Sequence, residues 1–401
     1  MKTKVYTSQF WLLCLSSLLF FASFNMIIPE LPAYLTELGG ADYKGLIISL
    51  FTVTAMISRP FSGKIADKVG RIPVMVIGTS VCVIISLMYP ILSTVTGFLL
   101  LRLVHGFSTG FMPTGLTAYL ADIIPFHKRG EAMGLLGTAG TVGMAAGLAV
   151  GPSIANDFGL NMMFYCSSAM AVISIGVLFG VKETLVHKQK FSAAVFKIHK
   201  RDLLEPRVLI TCIVMLLTTY SYGAVFTVIP DLCVHVGIHN KGLPFMFLTV
   251  ASLSIRLIAG KASDIYGRRK VLMVSSTLGA VSMLVLGMGT SPRDVLIAIT
   301  LYGLAQGMTS PTLFAWATDL SDERHKGRGI SSLYIFMELG IGVGAFTSGF
   351  IYGNDPANFF ITFLTAGLLA ATSLLYLIFT RLTGRPHITK MEAVSDVEQI
   401  P

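Results

Sequence analysis

Twelve apolar runs, each near the length of a bilayer crossing, leave this chain little choice of solvent. A transmembrane helix needs about 20 consecutive apolar residues. Runs of that kind fall near 9–34, 45–66, 73–93, 96–121, 131–155 and 161–181. A second set falls near 207–231, 243–263, 270–289, 294–318, 329–352 and 358–381. Hydrophobic residues make up 53% of the 401 and charged residues 13%, about half the charge a soluble domain carries. So little charge cannot cover a water-facing surface, and in lipid the backbone must satisfy its own polar groups within helices. The fold class expected is an all-α membrane protein with twelve transmembrane helices. The 39 glycines suit it, because membrane helices pack closely through small residues.

Charge placement sets the orientation. The net charge is +9, but Lys and Arg sit in short clusters between apolar runs, without a basic face. That pattern excludes nucleic acid as a partner and follows the positive-inside rule. With both termini cytoplasmic, the inner segments hold Lys64, Lys68, Arg71, Lys128, Arg129, Lys261, Arg268, Arg269, Lys270 and Arg328 among others, against Lys44, Lys241 and Arg293 outside. The polar stretch 182–206 reads as a cytoplasmic connector between bundles at 1–181 and 207–382, with a cytoplasmic tail at 383–401. Residues Met1 to Phe24 resemble a signal peptide but lack a clean cleavage site, so an uncleaved first helix is expected. Cys14, Cys82, Cys166, Cys212 and Cys233 are scattered without metal-ligand spacing, and no metal or cofactor is expected.

The two sets of runs are one design written twice. In "RPFSGKIADKVGR" and "RLIAGKASDIYGR", residues Arg59, Gly63, Lys64, Asp67, Gly70 and Arg71 match Arg256, Gly260, Lys261, Asp264, Gly267 and Arg268, all at an offset of 197. Pro29-Glu30-Leu31 echoes Pro230-Asp231-Leu232, and His105-Gly106 echoes Gln306-Gly307. Asp122 and Arg129-Gly130 echo Asp319 and Arg328-Gly329. Repeats of this size point to a transporter whose site lies between its halves near the bilayer midplane.

Here the chain resembles the major facilitator superfamily. "GKIADKVGRIPV" and "GKASDIYGRRKV" look like its loop signature, G-x-x-x-D-x-x-G-R-[KR], with Ile72 departing in the first copy. "RLVHGFSTG" resembles the fourth-helix signature, and "GLAVGPSIA", with Gly147, Gly151 and Pro152, the fifth-helix signature of proton-coupled drug exporters. The resemblance implies two pseudo-symmetric six-helix bundles in a plasma membrane, here taken as a bacterial inner membrane. In the loops, Gly63 and Gly260 would let helices approach, Gly70 and Gly267 would turn the chain, and Asp67 and Asp264 would form cytoplasmic latches with Arg71 and Arg268 available as partners. A solvated surface turn is the plainer alternative. The glycines of the fifth span, Gly137 to Gly151, form a packing ridge bent at Pro152.

Charged groups inside spans are functional candidates by default. Glu338 in the eleventh span is the leading candidate for a titrating carboxylate, with a structural ion pair as the alternative. Arg102 lies in the fourth span, where it either anchors backbone carbonyls or meets substrate. Arg59 and Arg256 are expected near the cytoplasmic ends of the second and eighth spans. Glu30 and Asp231 follow the proline bends of the first and seventh, as coupling groups or wet vestibule charges. Asn25 stands near where some exporters carry an acid, and an amide cannot titrate. His105 stands where the family usually has Gln; it can titrate or simply pack. Aromatics including Phe20, Phe24, Phe107, Tyr220, Tyr222, Phe314 and Trp316 are expected around an apolar cavity.

No phosphate-binding loop or catalytic constellation appears, so the chain is not read as an enzyme. The expected function is secondary transport: proton-coupled efflux of a small amphiphilic compound by a monomer. The alternatives are transport of one specific metabolite, such as a sugar or siderophore, and a non-transporting sensor on the same fold.

Overall fold

The computed structural model describes residues 6–125, 128–185, 189, 204–321 and 326–383. Most of the 182–206 connector and nearly all of the 383–401 tail lie outside the described residues. The chain forms twelve long helices: α1 Ser8–Ile27, α2 Lys44–Lys68, α3 Arg71–Met88, α4 Val95–Ile123, α5 Arg129–Phe158 and α6 Leu160–Leu178. They continue as α7 Leu209–Val236, α8 Leu243–Tyr266, α9 Arg268–Met288, α10 Pro292–Leu320, α11 Lys326–Tyr352 and α12 Phe359–Thr383. Among the described residues there is no strand.

Ten of these helices are long and apolar enough to cross a membrane, and α8, bent by 46° between Leu243–Arg256 and Ile258–Tyr266, makes an eleventh. The remaining one, α10, is 29 residues long. Its apolar stretch is diluted by Gln306, Thr309 and Ser310, and all three line a cavity. A wall facing a polar interior has no need of a continuous apolar sequence.

Helix starts and turns recur between the repeats. Thr94 accepts from the Gly97 amide at the start of α4, and Ser291 forms a capping box with Asp294 at the start of α10. Gly70 and Gly267, with φ of 149° and 91°, make the α2–α3 and α8–α9 turns in a region closed to other side chains. The proline echo is less regular. At Ile28–Glu30 the chain passes through a 3-10 turn into a short helix, Leu31–Glu37. By contrast, α7 runs through Pro230 unbroken.

Packing repeats as well. In the first set α1 lies on α5 and α6, α2 on α4, and α3 on α4 and α6; in the second α7 lies on α11 and α12, α8 on α10, and α9 on α10 and α12. The tightest seams are glycine ridges. A Cβ on Gly143, Gly147 or Gly151 would fall 2.1, 2.3 or 1.9 Å from the carbonyls of Leu18, Ala22 or Met26. The steps of four on both helices place one ridge along the other. On α11, a Cβ on Gly340 or Gly344 would fall 2.5 or 2.1 Å from the carbonyls of Leu216 or Tyr220 on α7. The two sets meet along α2–α11 and α5–α8.

Candidate functional site

One buried ion pair joins the two sets across α2 and α11. Arg59 Nη2 donates to Glu338 Oε1 at 2.7 Å, with both side chains almost fully buried. The Arg59 guanidinium also lies 4.4 Å from the ring centre of Tyr334. Its Nε is buried without an acceptor among the described residues. Arg59 lies nearer the Lys68 end of α2 than the Lys44 end, and Glu338 lies near the middle of α11. In low dielectric such a pair stands or falls together: removing one partner strands a charge at a cost of about 3–5 kcal/mol.

Beside it lies a cavity of about 230 Å³, walled by α7, α8, α10 and α11 and completed by Thr141 and Met144 of α5. Its surface mixes thioethers and aliphatics (Met215, Leu248, Met337, Ile341) with Thr219, Thr249, Ser252, Gln306, Thr309 and Ser310. Arg256 lines it too, and its Nη1 donates to Thr141 Oγ1 at 3.3 Å across the α5–α8 seam. Arg256 lies nearer the Tyr266 end of α8 than the Leu243 end. Of the aromatics expected around a cavity, Tyr222 lines this one. Phe20 and Phe24 pack in the core, Tyr220 bonds Thr347, and Phe314 packs at a tilt against Tyr334. The aromatic rings are chiefly packing material.

The two sets are bound to one another at the ends that carry Glu30 and Asp231. Lys44 at the start of α2 pairs with Asp231 on α7. Lys241 before α8 pairs with Glu30 after α1, at 2.7 Å. Lys44 and Lys241 are related by the repeat offset of 197, so one arrangement is written twice across the two-fold. Glu30 and Asp231 are thus engaged carboxylates between the sets, not free vestibule charges. Between these pairs the backbones touch: a Cβ on Gly349 would fall 2.5 Å from Gly45 Cα, and one on Gly242 would fall 1.9 Å from the Leu148 carbonyl. Toward the ends that carry the loop motifs the opposite holds. Gly63, Gly134, Gly137 and Gly260 have nothing within 4 Å of the place a Cβ would occupy. The close approach expected at Gly63 and Gly260 is therefore not made in this conformation.

The loop motifs form closed triads within each set. Arg71 bridges Asp67 at 2.7 Å and Asp122 at 3.1 Å; Arg268 bridges Asp264 and, at 3.0 Å, Asp319. Glu183 accepts from the amides of Arg71 and Ile72, each at 3.1 Å, and caps α3. Asp67 and Asp264 are mostly exposed and pair with their own set here.

Three candidates lie in the packed interior of the first set, away from the cavity. Arg102 donates through Nε to the Ile47 carbonyl at 2.8 Å and lies 4.7 Å from the Phe51 ring centre. His105 is wholly buried between Tyr89 Oη and Cys82 Sγ, each at 3.4 Å. Asn25 returns its amide to the Phe21 carbonyl at 2.8 Å. Gly147 and Gly151 belong to the α1–α5 ridge, with Pro152 in the same helix. Sequence reasoning left out the hydroxyl and amide lining of the cavity. The available signal was Gln306, which the repeat pairs with His105.

A family model described as Major Facilitator Superfamily matches residues 13–239 and 211–396. The chain is 26% identical over 348 residues to the multidrug resistance protein MdtG of Klebsiella pneumoniae (strain 342), covering 83% of this chain and 84% of that protein. It is 25% identical over 334 residues to MdtG of Salmonella typhi, covering 80% and 82%. Among solved structures, a bacterial homologue of the human lysosomal transporter Spinster superposes with a TM-score of 0.78 at 11% identity, covering 97% of this chain and 100% of that one. The human organic anion transporter MFSD10 superposes with a TM-score of 0.72 at 19% identity, covering 92% and 100%.

Proposed function

Because the chain belongs to the Major Facilitator Superfamily, we propose that it is a proton-coupled exporter of a small amphiphilic compound, working by alternating access in a bacterial inner membrane with both termini in the cytoplasm. The observation that carries this reading is the asymmetry of the seam between the two helix sets. Crossed ion pairs and touching glycines bind the outer ends. The inner glycines face open space, and a cavity lies at mid-depth between. That asymmetry supports a carrier open to the cytoplasm, the side from which an exported compound would enter. The relatives named as multidrug resistance proteins support export of a drug-like compound.

Rocking of one set on the other would break the outer pairs and bring the inner ends together. Asp67 and Asp264, mostly exposed in this state, would then gain partners across the seam. Glu338 is the carboxylate best placed to couple the motion to protons. Neutralising it releases Arg59 from α11, and restoring its charge draws the helices together again.

The test is transport in liposomes under an imposed pH gradient, with a panel of dyes, antibiotics, sugars and siderophores. The expected result is substrate-dependent proton release by amphiphilic compounds, lost in Glu338→Gln. Proton release with one polar metabolite alone would favour the specific-transporter reading, which the polar lining around Gln306 and Ser310 also suits. Solute equilibration without proton movement would remove the coupling role from Glu338.

A further inference from the structure

Arg59 and Arg256 are the same residue of the same repeat, yet only Arg59 has a carboxylate. Among the described residues no Asp or Glu pairs with Arg256, and none lines its cavity. The nearest acidic group along the α11 wall is Glu338, between the lining residues Met337 and Ile341, and it is held by Arg59. Among the described residues Arg256 makes one hydrogen bond, to Thr141, whose hydroxyl itself donates to the Gly137 carbonyl at 2.8 Å.

Two more donors face the same space. Ser252 stands four residues before Arg256 on α8 and so on the same face. Ser310 looks in from α10. Among the described residues neither hydroxyl has a hydrogen-bond partner. A half-buried guanidinium beside free hydroxyls, in a cavity lined by no acid among the described residues, has the charge and donors that recognise an anionic group.

We propose that this cavity takes an amphiphilic anion: a carboxylate, phosphonate or sulfonate seated on Arg256, Ser252 and Ser310, with its apolar body against Met215, Leu248 and Met337. The inference rests on the transporter reading above and narrows its substrate class. It also gives the ligand a place on the α5–α8 seam. An anion on Arg256 competes with Thr141 for the guanidinium, so loading the site loosens one of the polar ties between the helix sets.

The experiment measures equilibrium binding to the purified full-length chain in nanodiscs. The probes share a naphthalene body and carry a sulfonate, a phosphonate, a carboxamide or a trimethylammonium group. The expected result is at least tenfold tighter binding of the two anions than of the amide and the cation. Arg256→Gln should abolish that preference while leaving amide binding within about threefold, and Arg256→Lys should retain part of it. The Ser252→Ala/Ser310→Ala variant, which keeps the charge, should weaken the anions severalfold and the amide little. Equal or tighter binding of the cation, no binding of any probe, or an anion preference that survives Arg256→Gln overturns the proposal. Counterflow with the same probes in proteoliposomes separates the two claims. Carriage of the cation but not the anions sinks the anion site and leaves the transporter standing. Anion binding at Arg256 without carriage of any probe does the reverse.

Discussion

Arg59 and Glu338 stand 279 residues apart in sequence and 2.7 Å apart in space. Each is a charge inside an apolar span, costly alone and tolerable as a pair. Glu338→Ala or Arg59→Ala should therefore destabilise the fold by about 3–5 kcal/mol, and Arg59→Met/Glu338→Met should recover most of that loss. Thermal unfolding in detergent reads all three; a double variant no better than the singles would show that the pair is not the unit. Glu338 was legible as a candidate because an acid inside an apolar run is conspicuous. Its partner was not, because repeat alignment places Arg59 beside Arg256 and gives no hint that only one of the two is neutralised. His105, Arg102 and Asn25 were equally conspicuous in sequence. They lie in the packed core of the first helix set, where His105 and Arg102 bond across helices and Asn25 bonds its own.

At the scale of the helix, glycine spacing was readable and glycine partners were not. The steps of four along α5 announce a ridge, but only the structure shows Gly147 against the Ala22 carbonyl of α1, and Gly63 against nothing. Gly147→Leu should force α1 and α5 apart, costing about 1–3 kcal/mol or more as overpacking does and lowering transport with it. An unchanged unfolding midpoint would remove the ridge from the account. Gly349 sits elsewhere, on the seam that must open. Gly349→Val should wedge the outer ends of α2 and α11 apart while leaving each set intact. Labelling of a cysteine placed at the outer end of the seam by a membrane-impermeant reagent should rise severalfold in that variant and stay unchanged in Gly63→Ala, where the space is open.

Across the whole molecule, the two-fold repeat explains both what is symmetric and what is not. The crossed pairs Lys44–Asp231 and Lys241–Glu30 are one contact made twice, and they bind the halves at one face alone. The fold class and its repeat were legible because lipid imposes helices and the loop motif occurs twice at one offset. The cavity wall was harder to read: aromatics are as useful for packing as for binding, and much of the wall is hydroxyl and amide groups spread over α7, α8 and α10. Lys44→Ala/Lys241→Ala should shift the balance toward the outward-open form and raise outer-face labelling as Gly349→Val does.

Alternation itself is best tested by spin-label distances between the halves in a cysteine-free background. One pair of labels sits at the outer ends, on Asp42 and His239, and another at the inner ends, on Lys68 and Tyr266. On moving from wild type to Lys44→Ala/Lys241→Ala, the outer distance should lengthen while the inner one shortens. Distances that change in the same sense at both ends, or at neither, would contradict a carrier that rocks about its midplane cavity.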